Sequence, residues 1–391
     1  MAVSRESMQS AFGPGFMARR TVTDWLWALA VVVATALILA VWGEAMDRPE
    51  TLILVGFAPA LIALGWFFRP LRAYTVAVCA AAGFAVWLYG DDLAAGQERF
   101  FLVYAFASQS AIMWMSALFV LATLAYFAGL FLRSASLGRT GAGMTWFGAG
   151  MGLVGLLVRW RETYLLDPSI GYFPVSNLYE VFVLFCVITA LLWLFYEQRY
   201  SARDLGGFVL TVITAAVAFL LWYSFDRAAH EIEPLVPALN SYWMKLHVPT
   251  NFIGYGAFAL AAMVAVTYLV RDRAVRRSPD GVLATRLPAP AILDDLMYKS
   301  IALGFAFFTI ATILGAVWAA EAWGGYWTWD PKETWSLIVW LNYAGWLHMR
   351  LTKGWHGVPM AWWSIVGFFI TLFCFLGVNM FLSGLHSYGE L

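Results

Sequence analysis

The run Trp323-Gly324-Gly325-Tyr326-Trp327-Thr328-Trp329-Asp330-Pro331-Lys332-Glu333-Thr334-Trp335 sets four tryptophans and a tyrosine within 13 residues around a flexible glycine pair. So dense an indole surface suits a flat, apolar, polarizable ligand. An amphipathic belt at a membrane interface explains Trp25, Trp42, Trp66, Trp87, Trp362 and Trp363, but it needs no such cluster. The second half of the run is also a helix start. Asp330 stands at the N-cap, Pro331 at the first helical position and Glu333 three residues after the cap, the pattern of a capping box. Asp330 and Glu333 therefore fit a purely structural role. They also fit a ligand site, in which Lys332 and the free N–H groups of the helix end receive carboxylates.

Five histidines are present, and their positions matter more than their number. His247 falls at the start of one apolar stretch and His386 at the end of another, both on the side of the tryptophan run. Two neutral imidazoles facing each other form an axial pair for haem iron, although two interfacial histidines can also simply be solvated. His348 lies deeper, about 25 Å from Pro331 at about 1.5 Å per residue. An ionisable group at that depth is a functional candidate, the alternative being that it snorkels to the interface beside Arg350. His230 and His356 read as solvated loop residues. Arg159 is placed to meet ligand propionates or to pair with Glu180, which needs a partner in its apolar setting.

These residues must be positioned by a membrane protein. Of 391 residues 62% are hydrophobic and 12% charged, and the mean hydropathy is +0.73, so no soluble surface can be assembled from the remainder. Eleven apolar stretches suit helices crossing a hydrocarbon core of roughly 30 Å: 25–42, 51–68, 73–90, 108–132, 143–158, 176–196, 205–223, 248–270, 300–319, 334–350 and 360–382. The expected fold is an all-α polytopic bundle of about 11 transmembrane helices. The first stretch lacks a small-residue cleavage site and reads as a retained helix. With the N-terminus inside and the C-terminus outside, the inner segments hold 17 of the 24 basic residues, as the positive-inside rule requires. Residues 271–299, basic and rich in proline, read as a flexible cytoplasmic connector. The 24 basic and 24 acidic residues balance, which argues against nucleic acid as a partner. Cys79, Cys186 and Cys374 lie far apart in apolar runs, which argues against disulfides and Cys-x-x-Cys chemistry.

The tryptophan run resembles the WWD signature of membrane haem-handling proteins. The segment Pro174-Val175-Ser176-Asn177-Leu178-Tyr179-Glu180, the context of His247 and the closing Val378-Asn379-Met380-Phe381-Leu382-Ser383-Gly384-Leu385-His386-Ser387-Tyr388 resemble one branch, the CcsA/ResC proteins of system II cytochrome c biogenesis. The resemblance spans about 105–391. It implies that His247 and His386 ligate haem at the outer face, and that His348 holds haem on its way from the cytoplasm. It further implies that Trp323, Trp327, Trp329 and Asp330 belong to the loop that presents haem; Gly324, Tyr326 and Glu333 of the same run, and Arg159 from its own placement, are further candidate contacts.

The implied activity is that of a cytochrome c haem lyase (synthetase) in the plasma (inner) membrane, with its functional loops on the extracytoplasmic side. Haem b is the ligand and substrate, and apocytochrome c the acceptor. A CcsB/ResB-type membrane subunit is the partner. The two thiols of a Cys-x-x-Cys-His segment add to the haem vinyl groups, and the acceptor's own histidine displaces one axial ligand. Residues 101–391 would form the haem-handling core, with the loop at 320–335, and residues 1–100 an N-terminal extension of about three helices. No residue is assigned a catalytic role. Two other readings remain open at this point: a haem exporter or chaperone serving a separate ligase, and a haem b electron-transfer subunit.

Overall fold

A computed structural model of the chain describes residues 17–386 apart from 45, 47, 168–170 and 236. The described residues contain no strand, and eleven long helices answer to the eleven apolar stretches one for one. They are α1 (Val22–Trp42), α2 (Arg48–Phe67), α3 (Pro70–Tyr89), α4 (Ser108–Phe131), α5 (Ala135–Leu166), α6 (Leu178–Tyr200), α7 (Gly206–Arg227), α8 (Tyr242–Arg277), α9 (Pro290–Trp323), α10 (Pro331–Thr352) and α11 (Val358–Phe381). Ten are long and apolar enough to cross a membrane. The remaining one, α10, has the length, but Lys332, Glu333, His348 and Arg350 make it less apolar.

The chain divides into two compact units, one ending at Ala77 and the other starting at Val78, inside α3. In the first, α1 and α2 pack through Trp27, Val31 and Ala58, with Leu61, Ile62 and Trp66 around them. Buried Asp24 is the polar anchor of this unit. Its carboxylate pairs with Arg72 and accepts from Thr21 N–H at 2.8 Å, and its backbone carbonyl accepts from the Trp66 indole at 2.8 Å.

In the second unit α8 lies against α6, α7, α9 and α11, and α4 packs on α5 and α7. The face of α8 is built from small residues, among them Gly254, Gly256, Ala257, Ala261 and Ala265, all buried. Small residues let helix backbones approach closely where lipid offers no hydrophobic drive. At the crossing of α8 and α9 a Cβ added to Gly304 would lie 3.1 Å from the Gly254 carbonyl oxygen. Two turns along each antiparallel helix from that crossing, His247 and Ala311 stand opposite each other.

The 174–180 segment shows how a short motif builds a helix start and an ion pair together. Asn177 caps α6 by accepting from Glu180 N–H at 2.9 Å, while Ser176 donates its N–H and hydroxyl to Glu180 Oε2, both at 2.8 Å. Glu180 Oε1 is left to accept from Arg159 Nε at 2.6 Å, in a pair buried on both sides. Arg159 also donates to the carbonyls of His230 at 2.7 Å and Glu231 at 3.0 Å. Arg159, Glu180 and the 230–231 turn are thereby tied at one end of this unit.

The 271–299 connector is a correction to the sequence reading. It is mostly helical: α8 runs on to Arg277, a short helix covers Val282–Arg286 and α9 begins at Pro290. Arg271 donates to Leu287 O at 3.2 Å, and Arg286 pairs with Asp204 at 3.0 Å. Charged residues end an apolar window without ending a helix, because Arg is a good helix former.

The Arg159–Glu180 pair makes a stability prediction. Glu180→Gln leaves a buried guanidinium without its counter-charge and should cost about 3–5 kcal/mol. In thermal unfolding of the detergent-solubilised protein the midpoint should fall far more than for Asp91→Asn, which breaks the exposed pair with Arg161. Equal shifts for the two variants would contradict the assignment.

Candidate functional site

One cavity in the second unit gathers side chains from the start of α6, from α8, α9, the 323–330 loop, α10 and α11, and from His386. Both histidines placed on this side by the sequence line it. His247 reaches it from α8, with Nδ1 2.7 Å from Ala311 O. A carbonyl oxygen only accepts, so Nδ1 carries the proton and Nε2 keeps a free lone pair. His386 has Nδ1 2.9 Å from Asp330 Oδ2, and a carboxylate imposes the same tautomer. Each ring is thus pinned through Nδ1.

Asp330 makes this possible with one carboxylate. Its Oδ2 caps α10 by accepting from Lys332 N–H at 2.9 Å, and its Oδ1 accepts from Leu385 N–H at 2.7 Å. Burial works to raise its pKa, but the hydrogen bonds from Lys332, Leu385 and His386 prevail and hold the carboxyl below its ordinary value. It is therefore ionised at neutral pH. For His386 burial is the largest influence and lowers the pKa; the bond to Asp330 and its charge act in the opposite sense, and the net shift is downward. A neutral imidazole results, the form that binds metal.

The aromatic residues divide by role. Trp318 is in ring contact with both imidazoles, at 6.0 Å from His247 and 5.8 Å from His386. Trp323 packs edge-on against His386 at 4.6 Å and against Trp318 at 5.3 Å. Tyr326 and Trp327 line the cavity. Trp329 contacts Trp327 at 5.8 Å and is, like Tyr326, 67% exposed. Trp329 holds φ at +60°, in the left-handed region, and such strain in a non-glycine residue is characteristic of functional loops. Trp335 lies apart from these, packed on Phe373 at 4.3 Å.

The other candidate residues fall in different places. Gly324 ends α9 as a left-handed cap at φ +77°. Glu333 lines the cavity, and its Oε2 accepts from Thr328 N–H at 2.7 Å and Asp330 N–H at 3.2 Å, closing the capping box. Arg159 does not line this cavity, being held by Glu180 and the 230–231 carbonyls. His348 is exposed on α10, away from the cavity. His230 Nδ1 meets Ser224 O at 3.2 Å, and His356 lies beside Arg350 and Asp294.

Lys332 does not stand free at the helix end. Its ammonium donates to Phe375 O at 3.0 Å and Asn379 Oδ1 at 2.8 Å. A π-type turn at Phe373–Gly377 widens α11 there, and such turns disturb the regular pairing of helix carbonyls. Trp318 and the Ala311 carbonyl escaped the sequence reading. Trp318 sits in an apolar stretch where tryptophan is ordinary; its only signal is a place one and a half turns before Trp323. Nothing in a sequence marks a particular backbone carbonyl.

The family described as cytochrome C assembly protein matches residues 175–386, which are also the first and last residues lining the cavity. The chain belongs to this family. Within it the chain is of the CcsA type. It is 39% identical over 240 residues to the cytochrome c biogenesis protein CcsA of Chlamydomonas reinhardtii, a match covering 60% of this chain and 64% of that one. With the CcsA of Guillardia theta it shares 37% over 250 residues, 60% of this chain and 80% of the relative. With that of Synechococcus elongatus it shares 36% over 289 residues, 62% and 86%. A solved structure, cytochrome c heme lyase CcmF, aligns at 17% identity and a TM-score of 0.49 over 69% of this chain and 46% of its own.

The electrostatics of His386 predict a pH response of the ligand-free protein. His386 should gain its proton below the ordinary value of 6.5. Asp330→Asn removes the influence that raises it, so the midpoint should move lower still. Modification of His386 by diethyl pyrocarbonate, followed by mass spectrometry across pH 4–8, reads both midpoints; an upward shift in the variant would refute the assigned contact.

Proposed function

We propose that this chain holds haem b between His247 and His386 at the extracytoplasmic face of the plasma membrane and presents it to apocytochrome c for thioether attachment. The observation that carries the reading is the pair of imidazoles lining one cavity, each with Nδ1 tied to an acceptor, with one indole against both. That donor set fits six-coordinate haem iron. Trp318, Trp323, Tyr326 and Trp327 offer the flat surfaces a porphyrin stacks on.

What the chain contributes to the reaction is position. Each thiol adds across a vinyl group: sulfur bonds to the carbon nearer the porphyrin, and the thiol proton ends on the terminal carbon. Holding haem so that thiols and vinyls meet in near-attack geometry supplies much of what such an addition needs. The exposed faces of Tyr326 and Trp329 are where an acceptor polypeptide would first meet the loop.

His348 supports a second, transient haem position. It is exposed on α10, so another subunit can supply the opposing ligand, and a CcsB/ResB-type partner is the natural source. The excess of basic residues on the segments read as inner supports an orientation with the N-terminus inside and the site outside. On this reading the helices before residue 100 are an addition to the haem-handling core.

The test is co-expression with a CcsB/ResB-type subunit and an apocytochrome in a host without its own assembly system. His247→Ala or His386→Ala should abolish the low-spin haem spectrum and cytochrome c yield while leaving membrane insertion intact, and added imidazole should restore part of both. His348→Ala should lower the haem reaching the outer site. Normal cytochrome c from all three variants would contradict the proposal. Haem accumulation without covalent product would favour a chaperone over a lyase.

A further inference from the structure

The chain holds the two imidazoles in different ways. His247 lies within α8, a 36-residue helix packed along α9, and its Nδ1–H ends on a backbone carbonyl of α9. Neither the ring nor its anchor shifts unless two tightly packed helices separate. His386 lies past Phe381, where the last helix ends, and residues 381–385 are exposed. Two hydrogen bonds from this tail, Leu385 N–H and His386 Nδ1–H, end on the two oxygens of Asp330. Asp330 directly follows the strained and exposed Trp329.

Bonding strength points the other way from anchoring. A histidine whose distal N–H donates to a carboxylate is a more basic donor than one bonded to a carbonyl, so His386 binds iron firmly while Asp330 is in place. Movement of Asp330 therefore weakens that bond, and the neighbouring loop residues are the ones a protein substrate can reach.

We infer, on the reading that this pair holds haem, that His386 is the exchangeable axial ligand, that His247 is the permanent one, and that Asp330 is the positioning residue that latches His386. Exchange is a substitution of one nitrogen lone pair for another, the incoming one belonging to an acceptor imidazole; no electron or covalent bond of the chain is transferred. Displacing Trp329 draws Asp330 away from the tail, and His386 loses that hydrogen bond and its added basicity together. His247 keeps the iron throughout, so haem stays on the chain until the new ligand has bound.

Carbon monoxide tests this on the full chain, solubilised in detergent, loaded with haemin and reduced with dithionite. Carbon monoxide takes the place of the axial ligand whose ring can swing clear of the iron, and the Fe–CO stretching frequency reports the histidine that remains opposite. The wild-type complex should match that of His386→Ala and differ from that of His247→Ala. Asp330→Asn should remain six-coordinate before carbon monoxide is added, reach the same final spectrum, and bind it about 10-fold faster or more. A wild-type complex matching His247→Ala, or an Asp330→Asn rate equal to wild type, overturns the inference and leaves the haem reading standing. A wild type without a six-coordinate low-spin spectrum sinks the haem reading, and this inference with it.

Discussion

An imidazole ligates iron only through a ring nitrogen that carries no proton and points at the metal, and nothing in a free side chain selects which nitrogen that is. In this chain the choice is made by two acceptors, the Ala311 carbonyl and the Asp330 carboxylate, each 2.9 Å or less from an Nδ1. The first acceptor exists at that place because Gly254 and Gly304 let α8 and α9 touch. The second exists because the same side chain that starts α10 also receives the tail after α11. Helix packing, capping and imidazole orientation are thus consequences of one set of contacts, and loss of any of them is felt at the Nε2 atoms.

The membrane sharpens this dependence. A polar group in an apolar bundle has to find a partner inside it, and the second unit meets that demand in ways that fix geometry. Glu180 accepts from Ser176 with one oxygen and holds Arg159 with the other. Glu162 accepts from Tyr89 at 2.6 Å and from Ser108 N–H at 2.9 Å. Lys332 closes onto the widened turn of α11. Each satisfied group joins a helix end to a neighbour, so the end of the unit that carries the cavity is stiffened by its polar residues while the apolar residues give it its place in the bilayer.

Much of the fold was legible because apolar runs and capping patterns act locally. All eleven stretches became helices, and Asp330, Pro331 and Glu333 start α10 as their spacing demands. The errors lie where a local signal is ambiguous. The basic, proline-containing 271–299 segment looks like a loop, yet arginine extends α8 and Pro290 begins α9. Of the residues singled out in the sequence, His247, His386, Tyr326 and Trp327 come to line one cavity. The candidate site was less legible where a side chain has a structural partner in reach: Arg159 is engaged by Glu180, and Lys332 by α11. Trp318 and Ala311 O act through the register of two helices, a long-range property that spacing in one stretch does not reveal.

The central claim is that Nε2 of His247 and Nε2 of His386 bind one iron. An experimental structure of the haem-loaded chain tests it most directly. The account predicts a single porphyrin in the cavity beside Trp318, its iron bonded to both Nε2 atoms, with the Nδ1 contacts to Ala311 and Asp330 retained. A porphyrin bound elsewhere, or ligated by only one of the two histidines while the other keeps its present contacts, would contradict it.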